Sequence, residues 1–146
     1  SRGLGDVYKR QNFVNPKIVG QIAKNLFKMG CYEISLGDTT GKGTPEQTLE
    51  VVKECLKYLS ADKLAGHFHD TYQNALDNIN VCLENGMKTF DSSVGGLGGC
   101  PYSPGAKGNV ATEKVNKLLL SKGYETNLNR DKLKECSVIA QKLILN

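Results

Sequence analysis

The chain lacks several features that mark common classes of protein. It has no tryptophan, no run of five or more basic residues and no apolar run near the ~20 residues that span a bilayer. Its six tyrosines and four phenylalanines are dispersed rather than interleaved with the 19 Lys and Arg residues. Because nucleic-acid binders concentrate basic charge beside aromatic side chains, we expect neither nucleic acid nor a membrane as a partner.

Signals for cysteine pairing are missing too. The five cysteines are odd in number and include no Cys-X-X-Cys pair, which argues against a disulfide scaffold or a zinc ribbon. Cys55, Cys82 and Cys136 fall in helix-like apolar patterns, so we expect them to be small buried hydrophobic side chains. Reduced thiols fit an intracellular protein, and the mild net charge of +4 is compatible with a small anionic substrate.

What the sequence does contain is an alternation of helical and strand-like segments. Apolar patterns predict helices near 16–29, 44–59, 75–85, 112–121 and 130–145, and strands at 31–38, 63–70 and 88–94. This order predicts an α/β protein with about three parallel strands joined by right-handed crossover helices. Asp38 ends the first predicted strand, His67 and His69 end the second, and a glycine-rich stretch follows the third. Since ligands of such sheets bind at the carboxyl ends of the strands, we expect a functional site there.

The chain's two histidines indicate a metal site. Residues two apart in a strand project from the same face, so His67 and His69 could bind one metal ion side by side. Asn109 is the best local third ligand, and mixed nitrogen and oxygen donors favour Mg²⁺ or Mn²⁺. Asp70 could orient one of the imidazoles from behind. The alternative is a hydrogen-bonded pair of structural histidines.

The glycine-rich stretch SVGGLGGCPYSPGAKGN (93–109) carries a single thiol, Cys100. Its glycine spacing does not match GxGxxG, and GDTTGKGT (37–44) does not match a P-loop, so neither segment is typical of a nucleotide cradle. Glycines on both sides favour a segment that closes over substrate. Cys100 is then a turn residue, a ligand, or a group that donates or accepts a proton.

Three segments together resemble the hydroxymethylglutaryl-CoA lyase family: MGCYEISLGDTTGKGTP (29–45), HFHDTY (67–72) and DSSVGGLGGCPYSPGAKGNVATE (91–113). The resemblance implies a TIM barrel that cleaves 3-hydroxy-3-methylglutaryl-CoA to acetyl-CoA and acetoacetate, with Mg²⁺ or Mn²⁺, by a retro-Claisen step. It implies an acyl-CoA substrate, a homodimer in the full-length parent, and a mitochondrial matrix or bacterial cytoplasmic location.

The resemblance also implies roles for single residues. His67, His69 and Asn109 would be the metal ligands, and Asp38 would stand at the edge of the active site. His67 or a metal-bound water would take the proton of the substrate hydroxyl. Cys100 would protonate the acetyl-CoA enolate.

The family's first-strand motif, of the Arg-Asp-Gly-Leu-Gln type, has no counterpart in this sequence. A full (β/α)₈ barrel needs ~200–250 residues and eight strands. We therefore expect residues 12–146 to be the carboxyl-terminal part of a TIM-barrel lyase domain, that is, a partial barrel, with little or no lyase activity alone. Residues 1–11 have no useful periodicity and are interpreted as a non-native leader.

Two alternatives stay open. One is a related barrel enzyme that condenses acetyl-CoA with a 2-oxo acid, of the isopropylmalate or homocitrate synthase type. Those enzymes typically read His-X-His-Asn-Asp, whereas Asp70 follows His69 directly here. The other is a non-catalytic α/β fragment that binds metal without turnover.

Overall fold

The computed structural model describes residues 14–99 and 108–144. The proposed leader, 1–11, and Cys100 lie outside these described residues. The helices are α1 (Pro16–Lys28), α2 (Pro45–Leu56), α3 (Ala75–Glu84), α4 (Thr112–Ser121) and α5 (Arg130–Ile144). The strands are β1 (Ile34–Asp38), β2 (Leu64–Phe68) and β3 (Thr89–Phe90). Within the described ranges, no helix is long and apolar enough to cross a membrane.

The three strands form one parallel sheet in the order β1-β2-β3, which confirms the predicted α/β fold with three parallel strands. Ile34 lies opposite Leu64, and Asp38 lies opposite Phe68 at the carboxyl end of the β1–β2 pair. The β2–β3 pair is short, with Ala65 opposite Thr89. The register therefore brings the polar ends of β1 and β2 to the same edge.

The helices begin where the sequence predicts. Asn15 caps α1 by accepting a hydrogen bond from the Lys17 amide, and Pro16 takes the first helical position. Thr44 and Gln47 form both halves of a capping box at the start of α2. These local signals need no tertiary contact, which explains why they can be read directly from the sequence.

The third strand is shorter than the predicted 88–94. After Phe90 the chain leaves the sheet, and residues Val94–Gly96 form a 3₁₀ turn. Gly95 and Gly96 both have positive φ angles, +67° and +70°, which end the extended conformation. Ser93 still forms one parallel bridge, with Ala111, so the stretch before α4 runs beside the end of β3.

The core lies between the sheet and helices α1 to α3. Its fully buried side chains include Leu64 on β2, Val52 on α2 and Ile79 on α3. Cys55 and Cys82 are buried in it, as predicted. The two helices α1 and α2 approach closely at Gly20, where an added Cβ would lie 2.9 Å from the Glu54 carbonyl oxygen.

Helix α5 differs from its predicted packing. Cys136 was expected to be buried, but it is exposed, as are Ile139 and Leu143, and Ala140 is the buried residue among 130–143. Ala140 packs against Gly95 of the 3₁₀ turn: a Cβ added to Gly95 would lie 3.1 Å from the Cβ of Ala140. The apolar stripe of α5 is therefore wider than the surface that it contacts among the described residues.

Candidate metal and catalytic site

The predicted site residues on the described part of the chain meet at the carboxyl edge of the sheet. The His69 amide donates to the Asp38 carbonyl, 3.1 Å away, which continues the β1–β2 pairing by one residue. His69 then pairs with Asn109 in an isolated antiparallel bridge. The segment that follows the glycine-rich stretch therefore lies directly against the end of β2.

His67 and His69 lie close enough to act together. Their ring centroids are 5.2 Å apart, and the ring planes meet at 69°. His69 is buried, whereas the His67 side chain is 25% exposed. The same-face placement predicted from their spacing is consistent with this geometry.

Asp91 is a neighbour of His67 that the sequence analysis missed. Its Oδ1 lies 2.6 Å from Nδ1 of His67, and its backbone amide donates to the Gly66 carbonyl at 3.2 Å. An ionised carboxylate can only accept, so Nδ1 carries the proton and the lone pair of the neutral imidazole is on Nε2. This is the tautomer that binds a metal ion through Nε2. The sequence prediction placed Asp91 inside a strand at 88–94, whereas β3 ends at Phe90 and leaves Asp91 at the carboxyl edge of the sheet.

Asn109 is held by backbone contacts on both sides. The Asp70 amide donates to the Gly108 carbonyl, and the Val110 amide donates to the Phe68 carbonyl, each at 3.0 Å. The side-chain Nδ2 donates to the Leu97 carbonyl at 2.9 Å. The Oδ1 atom is buried and has no hydrogen-bond donor among the described residues. A buried acceptor of this kind is costly unless a ligand or an ion satisfies it.

Among the described residues, the Asp70 carboxylate contacts a lysine rather than an imidazole, contrary to the expectation. Its Oδ2 accepts a hydrogen bond from Nζ of Lys114 at 2.7 Å. Lys114 lies in the first turn of α4, and the Asp70 side chain is 8% exposed. The pair therefore ties the end of β2 to α4, and the carboxylate that supports a histidine is Asp91 instead.

The Asp38 carboxylate accepts hydrogen bonds from the loop that follows β1. Oδ1 accepts from the Gly41 amide at 2.9 Å and from both the amide and the hydroxyl of Thr40. Oδ2 accepts from the Gly43 amide at 2.8 Å. These contacts shape the loop between β1 and α2 beside His69, while a catalytic part for Asp38 stays a prediction.

The residues at the start of the glycine-rich stretch are hydrogen-bonded to the first turn of α4. Both carboxylate oxygens of Glu113 accept from the Gly95 amide, at 3.0 and 3.1 Å. The Ser92 and Thr112 hydroxyls are 2.9 Å apart. The catalytic role of Cys100 falls outside the described residues and stays a prediction.

The donor set fits a hard divalent cation. Two imidazoles and one amide oxygen are an incomplete shell, and within the described residues no group of three or more His, Cys, Asp or Glu could hold a metal ion. Nitrogen and oxygen donors without thiolate suit Mg²⁺ or Mn²⁺, which keep water or substrate oxygens in their remaining positions. The unsatisfied Oδ1 of Asn109 is the observation that supports this fit.

A separate cavity of about 260 Å³ lies between β3, α4 and residues 125–128. Its wall includes Lys88, Asn116 and Glu125, and it shares no residue with the histidine–asparagine set. Inside it, the buried Asn116 amide oxygen already accepts from the Thr126 hydroxyl. None of the site residues predicted from the sequence lines this cavity.

Comparison with known proteins finds a family and relatives that match most of this chain. The model of the HMGL-like family matches residues 9–139. The hydroxymethylglutaryl-CoA lyase of Pseudomonas mevalonii is 50% identical over 125 residues, which are 86% of this chain and 42% of that protein. The chain thus spans about two fifths of the length of this curated relative.

Solved structures agree in fold. The crystal structure of the HMG-CoA lyase from Brucella melitensis superposes with a TM-score of 0.91 at 46% identity, over 94% of this chain and 49% of that one. An HMG-CoA lyase from Acinetobacter baumannii, solved with coenzyme A and 3-methylmalate, gives a TM-score of 0.80 at 34% identity. It covers 88% of this chain and 42% of that one. The three-stranded sheet is therefore part of a TIM-barrel-type fold, as expected.

Proposed function

We propose, from the premise that this chain belongs to the HMGL-like family, that it is part of a divalent-metal-dependent carbon–carbon lyase. The reaction is the cleavage of 3-hydroxy-3-methylglutaryl-CoA to acetyl-CoA and acetoacetate. The observation that carries the proposal is the meeting of His67, His69 and the unsatisfied Asn109 oxygen at the carboxyl edge of the sheet. The relatives' names and the coenzyme A in the Acinetobacter complex support an acyl-CoA substrate.

His67, His69 and Asn109 would hold the metal. A bound Mg²⁺ or Mn²⁺ supplies Lewis-acid polarisation of the substrate oxygens. Asp91 holds His67 in the tautomer whose Nε2 is free to bind, and this restricts the ring to one basic nitrogen. His67 can therefore bind the cation or accept the hydroxyl proton in a given state, but not both.

The bond changes follow from retro-Claisen chemistry. A base removes the 3-hydroxyl proton, the C3–oxygen bond becomes a carbonyl, and the C2–C3 bond breaks. Its electron pair is left on the carbon next to the thioester, as the acetyl-CoA enolate. Cys100 Sγ would donate a proton to that carbon, which completes acetyl-CoA.

The assay for this proposal measures acetoacetate released from 3-hydroxy-3-methylglutaryl-CoA with added Mg²⁺ or Mn²⁺. It uses the full-length protein, with the 146-residue chain assayed beside it. We expect His69→Ala and Cys100→Ala each to lower kcat by about 100-fold or more, because each removes a group that acts on the reacting atoms. Cys31→Ala is the matched control, because Cys31 is an exposed cysteine before the amino end of β1.

Other outcomes would contradict the proposal in distinct ways. Product formed only from acetyl-CoA and a 2-oxo acid would indicate a condensing synthase. Metal binding without either reaction would indicate a non-catalytic module. Full activity of the 146-residue chain would refute the expectation that first-strand residues, absent from this sequence, are required.

A further inference from the structure

Leu97 and Gly98, in the glycine-rich stretch, each accept a hydrogen bond from Asn109. The Asn109 amide donates to the Gly98 carbonyl at 3.0 Å, and its side-chain Nδ2 donates to the neighbouring Leu97 carbonyl at 2.9 Å. A backbone carbonyl can only accept, so it selects the NH₂ end of the side chain and not the oxygen end. The oxygen end is left buried without a donor among the described residues.

These two hydrogen bonds are sterically possible because residue 98 is a glycine. Its φ is +92°, a conformation that residues with a Cβ rarely adopt. An added Cβ would also lie 2.8 Å from Asn109 Nδ2, which is closer than such atoms normally approach. Both the backbone conformation at Gly98 and the position of the Asn109 side-chain amide therefore depend on the absence of a side chain at position 98.

We propose that Gly98 is a positioning residue that fixes the Asn109 amide with its oxygen available for the cation. The inference rests on the proposed metal site and adds a requirement outside the ligands themselves. With a side chain at position 98, the Nδ2–Leu97 contact cannot form as it stands. The amide then loses the contact that distinguishes its two ends, and the end facing the cation is no longer fixed.

The adjacent glycine provides a matched control. Gly99 has no positive φ, and an added Cβ there would have no atom of the described residues within 4 Å. Gly98→Ala and Gly99→Ala thus make the same chemical change one residue apart. A general effect of stiffening the stretch would appear in both variants, whereas the effect on Asn109 would appear only in the first.

The test measures the Mn²⁺ dissociation constant of the full-length protein by electron paramagnetic resonance. We expect Gly98→Ala to weaken Mn²⁺ binding about 10- to 100-fold, as loss of support for a ligand typically does. Gly99→Ala should stay within about twofold of the parent protein. In an Asn109→Ala background, Gly98→Ala should have no further effect, because the residue acts through that side chain.

Equal affinities of Gly98→Ala and Gly99→Ala would overturn the inference, as would an undiminished effect in the Asn109→Ala background. Should Gly98→Ala not fold, nuclear magnetic resonance of the unsubstituted protein decides: the Asn109 NH₂ protons should be protected from exchange, and its side-chain carbonyl carbon should shift on addition of Mg²⁺. Unprotected Asn109 NH₂ protons would refute the hydrogen bond from Asn109 to the Leu97 carbonyl. Failure of the unsubstituted protein to bind Mn²⁺, or binding unchanged by His69→Ala, would instead refute the proposed metal site.

Discussion

At the scale of single residues, the His67–Asp91 contact decides what the exposed histidine can do. The 2.6 Å contact holds the Nδ1 proton on the side away from the proposed cation. It also restricts rotation of a ring that is otherwise a quarter exposed. Asp91 is itself 62% exposed, so its contribution is to the orientation of His67 more than to the stability of the fold.

Replacing Asp91 by alanine should weaken Mn²⁺ binding by about 10- to 100-fold, because His67 loses the acceptor that fixes its tautomer. The free energy of unfolding should change by less than about 0.5 kcal/mol, as for other exposed sites. Asp62→Ala is the matched control, since its carboxylate is 67% exposed and lies at the amino end of β2. The measurement is Mn²⁺ titration of both variants, and equal affinities would contradict this role of Asp91.

The residues that sequence reasoning could locate are those with a fixed distance along a strand or a fixed place at its end. His67 and His69 belong to this group, and Asn109 follows because its segment returns to the same edge. The partners of Asp70 and His67 could not be located in this way. Lys114 and Asp91 come from α4 and from the end of β3, and their contacts depend on how those elements pack.

At the scale of elements, α1 and α2 meet through a glycine. Gly20 is buried in the middle of α1, and the Glu54 backbone would be 2.9 Å from a Cβ at that position. Glycine in a helix interior costs about 1 kcal/mol relative to alanine. The close approach of α1 and α2 offsets this cost, because it lets the helix pair pack against the sheet.

Gly20→Ala should therefore destabilise the protein although alanine is the better helix former. The gain in helix propensity is about 1 kcal/mol, and overpacking against backbone costs about 1–3 kcal/mol. We expect a net loss of up to about 2 kcal/mol in the free energy of unfolding, measured by urea denaturation. Gln21→Ala, at the adjacent exposed position, should change it by less than about 0.5 kcal/mol. A stabilised Gly20→Ala protein would show that the two helices can separate without cost.

Elements with local start and stop signals were predictable, and elements ended by tertiary contacts were not. The starts of α1 and α2 and the bounds of α4 agree with the sequence prediction. The third strand is shorter than predicted: it ends at Phe90, and Ser93 pairs with Ala111 before Gly95 and Gly96 turn the chain. The burial expected for Cys136 was wrong because, among the described residues, only a narrow strip of α5 around Ala140 meets a neighbouring element.

At the scale of the whole molecule, two thiols report on the integrity of the core. Desolvation by burial, with a smaller contribution from the Glu54 charge, raises the pKa of Cys55 to about 11. Burial raises the pKa of Cys82 to about 12. Both values lie above the ordinary thiol range near 9, so the folded protein keeps these protons at a pH where the unfolded chain releases them.

The free energy of unfolding should consequently fall as the pH rises above about 9, with the contribution of each thiol fully present below that pH. Each unit of pH above it should remove up to about 1.4 kcal/mol per buried thiol, until the folded pKa is reached. Urea denaturation at pH 8, 9 and 10 measures the slope. A Cys55→Ala/Cys82→Ala double variant should show a shallower slope, and a Cys31→Ala/Cys136→Ala variant, at exposed sites, an unchanged one. Equal slopes in all three proteins would contradict the argument.

The contact between Gly98 and Asn109 also has an evolutionary consequence. The 2.8 Å approach excludes a side chain at position 98 while Asn109 keeps its present orientation, and this exclusion adds to the strain that a φ of +92° imposes on any side chain there. A lineage that abandons the metal would relax both positions together, and a lineage that keeps the metal could change neither alone. The two positions, eleven residues apart on opposite sides of the cysteine, should therefore vary as a pair among descendants of this fold.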